Sequence, residues 1–239
     1  MKEQINVSFA GLPIGILSES DYMRNFCRDY ITGKEPLFTV EASEEEILAE
    51  MAEAQTRTSR DYAESLCIYR AIAEIIPLYG GMVFHGAAVK YGKKAYIFTA
   101  PSGTGKSTHI NLWRRFLGER VGIINGDKPI IRISEEEITV WGTPYAGKEK
   151  WQKNTSAPLG GICVLSQGTD NTVSELPRDE RFMKLYMQTY RPKEKEAAEK
   201  TLSQVISLCS APCYSISCDM TENAVRATFE ALTGEKYEV

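Results

Sequence analysis

The stretch TAPSGTGKST, residues 99–108, decides the fold. The pattern G-x-x-x-x-G-K-[ST], placed between a strand and a helix, is typical of a phosphate-binding loop. Ala100 stands where the first glycine is expected, and the rest of the pattern is present. The strand-like residues 95–99 precede the loop and an amphipathic stretch follows it. We therefore predict a strand–loop–helix unit that binds phosphate, with the tight turn supplied by Pro101 and the preceding hairpin.

The residues of this loop have the chemistry that a nucleoside triphosphate requires. Gly103 and Gly105 let backbone N–H groups converge on phosphate oxygens, and the following helix points its positive end at the same place. Lys106 is expected to bridge the β and γ phosphates, Ser107 to ligate Mg²⁺, and Thr108 to donate to the α phosphate. The predicted cofactors are ATP or GTP with Mg²⁺. The predicted nucleotide-binding residues are Ser102, Gly103, Thr104, Gly105, Lys106, Ser107 and Thr108.

Two side chains outside the loop are candidates for chemistry at the γ phosphate. Asp127 follows the apolar residues 121–125, so we expect it at the carboxyl end of a strand, where parallel sheets place their ligands. It would coordinate Mg²⁺ or, alternatively, orient or deprotonate an attacking hydroxyl. A plain turn residue is the remaining interpretation. His85 lies in residues 82–89, read as one apolar strand, where a core histidine is the more common outcome.

A second loop, residues 142–148, follows another predicted strand. With Lys150, Lys153 and Asn154 nearby, it would supply cations and donors to a transferring phosphate. A solvated turn with ordinary lysines is the alternative interpretation. His109, on the helix after the glycine-rich loop, is predicted to be structural.

The composition is typical of a globular protein and argues against a general nucleic-acid binder and against a membrane span, while a local basic patch stays open. The 239 residues are 43% hydrophobic and 25% charged, with a net charge of −4. A nucleic-acid backbone calls for a basic surface, and a membrane span needs about 18 uninterrupted apolar residues. The first residues lack the apolar core of a signal peptide, so we expect a cytoplasmic protein. The spacing of the six cysteines matches no zinc pattern, which predicts buried free thiols.

The order of predicted elements indicates an α/β fold with a mixed, partly antiparallel sheet. A tight hairpin leads into the glycine-rich loop, and three strands follow the loop's helix almost without a break. Residues 1–80 are predicted to form a small α+β subdomain, with a hairpin over 5–17 and helices over 20–31 and 59–76, packed on a nucleotide-binding core over 81–239. The local signals behind these predictions are a turn at Gly11 and Pro13, a capping-box pattern of Ser43 and Glu46 that starts a further helix, Tyr62 on the apolar face of 59–76, and Gly234 after a final helix over 221–232. The other strands of the core are predicted over 121–125, 129–133, 138–141, 159–165 and 214–218.

The segment from His85 to Ser107, HGAAVKYGKKAYIFTAPSGTGKS, resembles the catalytic core of bacterial HPr serine kinase/phosphorylase. That family has a histidine–glycine pair, a short hairpin and then its phosphate loop, and the interval between His85 and Lys106 agrees with the family's. The loop also resembles that of phosphoenolpyruvate carboxykinases, whose nucleotide-binding core has the same architecture. The resemblance covers about residues 82–165.

This resemblance implies an ATP-dependent kinase that acts on a serine-type hydroxyl of a protein, a peptide or a small molecule. Lys106 and Ser107 would bind phosphate and metal, and His85 would lie beside the transferring phosphate. Asp127 would match the first of the family's paired aspartates, whereas Lys128 stands where the second is expected. The family's C-terminal signature for contacting HPr is not found, so HPr is not the expected substrate. The set of residues is closer to HPr-kinase-like proteins found beside peptide-modification systems.

Two other functions remain open at this point. A non-catalytic ATP-binding switch or partner protein is favoured by Lys128 in place of a carboxylate. A carboxykinase-like enzyme is less favoured, because the chain is short and lacks an evident second metal site. The sequence does not decide whether the chain associates with copies of itself.

Overall fold

The computed structural model describes residues 2–54 and 56–238, and the chain begins with a small three-stranded sheet. Its strands, in spatial order, are β1 (Glu3–Phe9), β2 (Leu12–Ser18) and β3 (Phe38–Glu41). β1 and β2 form the predicted antiparallel hairpin, and β3 pairs parallel with β2. Ala10 and Gly11, both with positive φ, make a two-residue turn that matches the strand twist. Pro13, predicted in the turn, therefore already lies in β2.

Three helices cover this sheet: α1 (Asp21–Phe26), α2 (Glu44–Glu53) and α3 (Arg60–Ile75). The capping box of Ser43 and Glu46 at the start of α2 is present as predicted. α1 is shorter than the predicted helix over 20–31, and a 3₁₀ turn continues it. α3 packs its Ile68 side inwards, so Tyr62, predicted on the apolar face, is 42% exposed.

A larger mixed sheet forms the rest of the described chain. Its strands are β4 (Gly81–Val83), β5 (Ala87–Tyr91), β6 (Lys94–Thr99), β7 (Val121–Asn125), β8 (Ile130–Ile133), β9 (Ile138–Trp141), β10 (Ser156–Gln167), β11 (Thr172–Glu175) and β12 (Cys213–Cys218). The order is β4-β8-β9-β10-β6-β5-β7, and β12 pairs with β10 and β11. β6 and β12 run parallel to β10, whereas β5 is antiparallel to β6 and β7. The predicted mixed, partly antiparallel sheet is confirmed.

The prediction of one strand over residues 82–89 is wrong. β4 pairs with β8, whereas β5 pairs with β6 and β7, so the chain changes partners between them. His85 lies in this break, at the edge of the sheet. β10 is also longer than predicted, because it pairs with β9 at its start and with β12 at its end. β11 was not predicted.

Helices lie on both faces of the larger sheet: α4 (Lys106–Leu117), α5 (Arg178–Tyr186), α6 (Lys195–Leu208) and α7 (Glu222–Thr233). Successive strand residues point to opposite faces. Accordingly, Phe98 packs with Trp113 of α4 and Phe229 of α7, and Ile97 belongs to a separate cluster with Val205 of α6. This double layer holds the loop between β6 and α4 in place.

A third core cluster consists mainly of residues before position 80, with contributions from Val83, Ile130 and Tyr145. The boundary between residues 1–80 and 81–239 stays a prediction. The six cysteines are free: Cys209 and Cys218 are half-buried and the other four are buried. Within residues 2–54 and 56–238, no helix has the length and apolarity to cross a membrane.

Candidate functional site

The strand directions bring the predicted site residues to one edge of the larger sheet. β6 and β7 both pair antiparallel with β5, so they run parallel to each other and end at the same edge. Ala88 of β5 faces Ile97 on one side and Asn125 on the other. His85 comes just before β5 and Asp127 just after β7, so both lie beside the glycine-rich loop, residues 99–108, that follows β6.

The backbone of the glycine-rich loop explains why Ala100 is tolerated. Gly103 and Gly105 have φ of 81° and 116°, a region that disfavours any residue with a Cβ. Ala100 is not among the described residues with positive φ, and its side chain is buried in the core. The backbone therefore requires glycine at the two positions where the sequence has it.

Lys106 is the first residue of α4 and is buried within the glycine-rich loop. Its Nζ donates to the carbonyl oxygens of Ala100 and Pro101, at 3.0 and 3.4 Å. Burial lowers the pKa of Lys106, while the charge of Asp127 opposes that shift. These two carbonyl oxygens are neutral, so a phosphate oxygen would be the stronger partner for this ammonium.

The remaining nucleotide-binding candidates lie around Lys106 on the loop and the first turn of α4. Ser102, Gly103 and Thr108 are exposed, and Thr104, Gly105 and Ser107 are half-buried. Their backbone and hydroxyl groups thus lie at the surface of the loop, where a phosphate chain would approach.

His85 and Asp127 place two acceptor atoms close together. His85 Nε2 lies 3.5 Å from Asp127 Oδ1, and His85 Nδ1 lies 3.0 Å from Gln188 Oε1. Burial, reinforced by the charge of Lys106, lowers the pKa of His85, so the ring is neutral at neutral pH. Since Gln188 Oε1 can only accept, Nδ1 carries the proton and Nε2 keeps its lone pair. A hydroxyl hydrogen placed between His85 and Asp127 would meet two acceptors.

The turn after β7 holds Asp127 in position. Asn125 Oδ1 accepts hydrogen bonds from the backbone N–H groups of Asp127 and Lys128, at 2.9 and 2.8 Å. Gly86 N donates to the carbonyl oxygen of Asp127 at 2.9 Å, which ties this turn to the break before β5. Sequence reasoning missed Asn125, although an asparagine two residues before a key carboxylate is a recognisable turn signal. Gln188 left no such signal.

Lys128 occupies the second oxygen of the Asp127 carboxylate. Its Nζ lies 2.7 Å from Asp127 Oδ2, and its side chain is 42% exposed. Tyr69 and Thr143 both donate to the backbone carbonyl of Lys128, at 2.8 and 2.9 Å. The residue at which the sequence departs from the paired aspartates is therefore an integral part of the site.

The second predicted loop reaches the site only in part. Gly147 packs on Asp127, where a Cβ would lie 3.2 Å from the Asp127 Cβ, and Lys150 lines a cavity together with Asp127. Asn154 instead donates to the carbonyl of Asp29, and Lys153 is exposed. Of Lys150 and Lys153, only Lys150 lines the cavity beside the Asp127 carboxylate.

Two cavities meet at Lys128 and Leu66, which line both of them. One, of about 580 Å³, is also lined by His85 and Arg191, and the other, of about 470 Å³, by Asp127. Both fall within the size range of small-ligand pockets. The His85–Asp127 pair therefore adjoins space on either side in which a second molecule would fit.

His109, predicted to be structural, is almost completely buried. It is 2% exposed, and its Nε2 lies 3.1 Å from Thr228 Oγ1. Burial lowers its pKa to about 4. The part of the chain that is described has no group of three or more His, Cys, Asp or Glu side chains suited to a metal. A metal here would need ligands beyond the protein, such as phosphate and water.

No protein-family model and no curated protein matches the chain. Among solved structures, it is similar to the HPr(Ser) kinase/phosphatase from Coxiella burnetii, with 10% sequence identity and a TM-score of 0.28. That match covers 53% of this chain and 88% of the other.

Proposed function

We propose that the protein is an ATP-dependent kinase that transfers the γ-phosphoryl group of Mg-ATP to a hydroxyl of a protein, a peptide or a small molecule. The observation that carries this proposal is the placement of His85 and Asp127 at the sheet edge where the glycine-rich loop begins. A site that only bound a nucleotide would not need a pair of acceptors there. GTP would serve the same chemistry.

The glycine-rich loop would hold the triphosphate. Gly103 and Gly105 free the backbone N–H groups around them, and Lys106 would exchange its two carbonyl partners for β and γ phosphate oxygens. Phosphoryl transfer depends mainly on positioning and on electrostatic stabilisation, because the transition state spreads charge over the phosphoryl oxygens. Lys106 provides a fixed positive charge for that purpose.

Magnesium fits the residues that are present. Hard oxygen ligands suit Mg²⁺, which usually keeps several waters and takes one or two carboxylates together with substrate phosphates. Ser107 would supply a hydroxyl and Asp127 a carboxylate oxygen. Bound Mg²⁺ would supply further positive charge at the phosphate oxygens.

Asp127 and His85 would receive the acceptor hydroxyl. The neutral His85 Nε2 and the Asp127 Oδ1 both accept hydrogen bonds, so a hydroxyl that approaches both atoms would be oriented and its proton would have an acceptor. The two cavities beside Lys128 leave space for the rest of the acceptor.

The substitution Asp127→Asn tests this proposal, because the amide keeps the shape and loses the charge. Interactions made in the transition state appear in kcat and not in ground-state affinity. We expect nucleotide affinity to stay within about tenfold while phosphoryl transfer or basal ATP hydrolysis falls roughly 10²-fold or more. Turnover and calorimetric ATP binding are measured side by side, with Asp179→Asn, an exposed aspartate of α5, as the matched control. Equal turnover in wild type and Asp127→Asn would remove Asp127 from the mechanism.

The contact between Lys128 and Asp127 favours a second candidate function, a non-catalytic ATP-binding switch. A lysine that neutralises the carboxylate would suit a site that holds Mg-ATP without using it. Wild-type protein that binds Mg-ATP and never turns it over, with water or with any hydroxyl compound supplied, would support the switch and overturn the kinase.

A further inference from the structure

A third cavity, of about 450 Å³, opens on the other side of the glycine-rich loop. It is bounded by the loop itself, by the first turns of α4, and by the carboxyl ends of β10 and β12. In the sheet, β10 lies on one side of β6, and β5 and β7 lie on the other. The described residues that line this cavity line neither of the two cavities beside Lys128. The glycine-rich loop therefore separates two different binding spaces.

His109 lines this third cavity and has an acceptor atom without a partner. Thr228 Oγ1 donates its hydrogen to the carbonyl of Ala224 at 2.8 Å and accepts one from Trp113 Nε1 at 2.9 Å. The bond between Thr228 Oγ1 and His109 Nε2 therefore uses the hydrogen on Nε2, and His109 Nδ1 keeps a lone pair. This Nδ1 is buried and has no hydrogen-bond partner among the described residues. This nitrogen is the candidate acceptor for an N–H or O–H group of a ligand in the cavity.

The other walls of the cavity suit a flat, partly apolar molecule with polar edges. Leu112, Leu165 and Met220 supply apolar surface, and Met220 is 73% exposed. Asp219 adds a carboxylate, of which Oδ1 already accepts from Thr221. Pockets for small molecules are commonly apolar with a few placed polar groups, and they have volumes of about 300–1,000 Å³.

The position of the loop residues gives the direction of the nucleotide. Thr108, the predicted partner of the α phosphate, lines the third cavity, whereas Lys106 is electrostatically coupled to His85 and Asp127. We propose that the third cavity binds the purine nucleoside of the triphosphate, with its donor groups facing His109 and its apolar faces against Leu112, Leu165 and Met220. This inference rests on the proposed function, since it assumes that the loop holds the phosphates.

The two histidines of the chain allow a direct test, because one lies at each end of the proposed nucleotide. Protein with ¹⁵N-labelled histidine is titrated with tripolyphosphate and, separately, with ATP, both with Mg²⁺. A nitrogen lone pair that gains a hydrogen bond resonates upfield. We expect tripolyphosphate to shift the His85 resonances alone, and ATP to shift those of His85 and also the Nδ1 resonance of His109. The variants His85→Gln and His109→Gln assign the signals.

The affinities for ATP and tripolyphosphate give a second test that does not need the two histidine variants. We expect wild type to bind ATP about tenfold or more tightly than tripolyphosphate, a ratio that corresponds to about 1.4 kcal/mol or more from the nucleoside. Met220→Trp, which adds a bulky ring at the rim of the third cavity, should remove that gain. Met187→Trp is the matched control, since Met187 is an exposed methionine that lines the cavity beside His85.

The outcomes separate the two proposals. The quantity compared is the affinity for ATP relative to that for tripolyphosphate. If this preference for ATP is kept in Met220→Trp but lost in Met187→Trp, the nucleoside lies in the cavity beside His85 and the inference is overturned. Equal affinity of wild type for ATP and tripolyphosphate, with His109 unshifted by either, would also overturn it while leaving the phosphate site intact. If neither compound binds, the proposed function itself fails.

Discussion

The two histidines lie close to the same loop, yet their surroundings differ in kind. His85 lies in a break between strands, its side chain is 32% exposed, and it contacts Gln188 and a carboxylate. His109 is buried and contacts Phe98 and Thr228, and no charged side chain shares a described contact with it. Burial lowers the pKa of both rings, but the positive charge of Lys106 adds to the shift only at His85.

This difference shows what each side of the loop is built to do. A partly exposed ring beside a carboxylate, a lysine and two cavities can exchange partners when a ligand arrives. A fully buried ring bound to an interior threonine costs stability when its contacts are lost. The polar groups that can react therefore lie on the β7 side of the loop, and the better-packed wall lies on the β10 side.

The largest expected effect comes from Lys106→Ala, which removes the charge in the loop between the two sides. Hydrogen bonds to charged groups contribute about 1.5–3 kcal/mol each, so we expect affinity for both Mg-ATP and Mg-tripolyphosphate to fall about a hundredfold or more. Calorimetry with both compounds measures this. Lys200→Ala, at an exposed position of α6, serves as the control for loss of a lysine. An unchanged affinity in Lys106→Ala would remove the phosphate-loop assignment and, with it, the contrast between the two sides.

Much of the fold was predictable because its signals are local. The capping box at Ser43, the positive-φ glycines of the loop and Gly234 after the last helix each act within a few residues of chain. The break at His85 was not predictable in this way. The residues on both sides of it are apolar and strand-forming, and only the long-range pairing of β4 with β8 and of β5 with β6 separates them.

In the candidate site, too, the residues with local sequence signals were predictable and those placed by tertiary packing were not. Lys106 and Asp127 could be placed from a motif and from the end of a strand. Gln188 comes from a segment far along the chain, and its contact with His85 depends on tertiary packing alone. The Lys128–Asp127 contact joins neighbours in sequence, within a turn in which Asn125 accepts from the backbone N–H of Lys128.

Exchanging each histidine for alanine tests the difference between the two sides of the loop. His109→Ala deletes a buried ring that contacts Phe98 and Thr228, so we expect the free energy of unfolding to fall by about 3 kcal/mol. His85→Ala should change stability by less than about 1 kcal/mol, since the ring is partly exposed, while turnover falls about tenfold. Denaturant unfolding and turnover assays on both variants measure this. A stability loss in His85→Ala that matched that of His109→Ala would contradict the assignment of reactive and structural sides.

The stability difference between wild type and His109→Ala should depend on pH, and the pKa of His109 gives the sign of that dependence. The pKa of His109 is about 4 in the folded protein and near 6.5 when unfolded, so the unfolded state takes up the proton first. The stability that the buried neutral ring provides is complete above pH 6.5 and is lost as the pH falls to about 4. The stability difference between wild type and His109→Ala should therefore narrow over that range. A difference that stays constant would show that this imidazole titrates normally.

The smallest expected effect comes from replacing Lys128. It tests whether this lysine competes with Mg²⁺ for the Asp127 carboxylate. Lys128 Nζ and a metal would both seek the Asp127 carboxylate, and Lys128 is 42% exposed, so their contact is worth at most about 1 kcal/mol. If the lysine competes with Mg²⁺, Lys128→Met should lower the Mg²⁺ concentration for half-maximal ATP turnover by up to about fivefold. Lys150→Met is the matched control, because Lys150 is an exposed lysine that lines the same cavity. If Lys128→Met instead needs more Mg²⁺, Lys128 works alongside the metal at the phosphates. If Lys128→Met binds Mg-ATP but gains no turnover at any Mg²⁺ concentration, the lysine does not restrain Asp127.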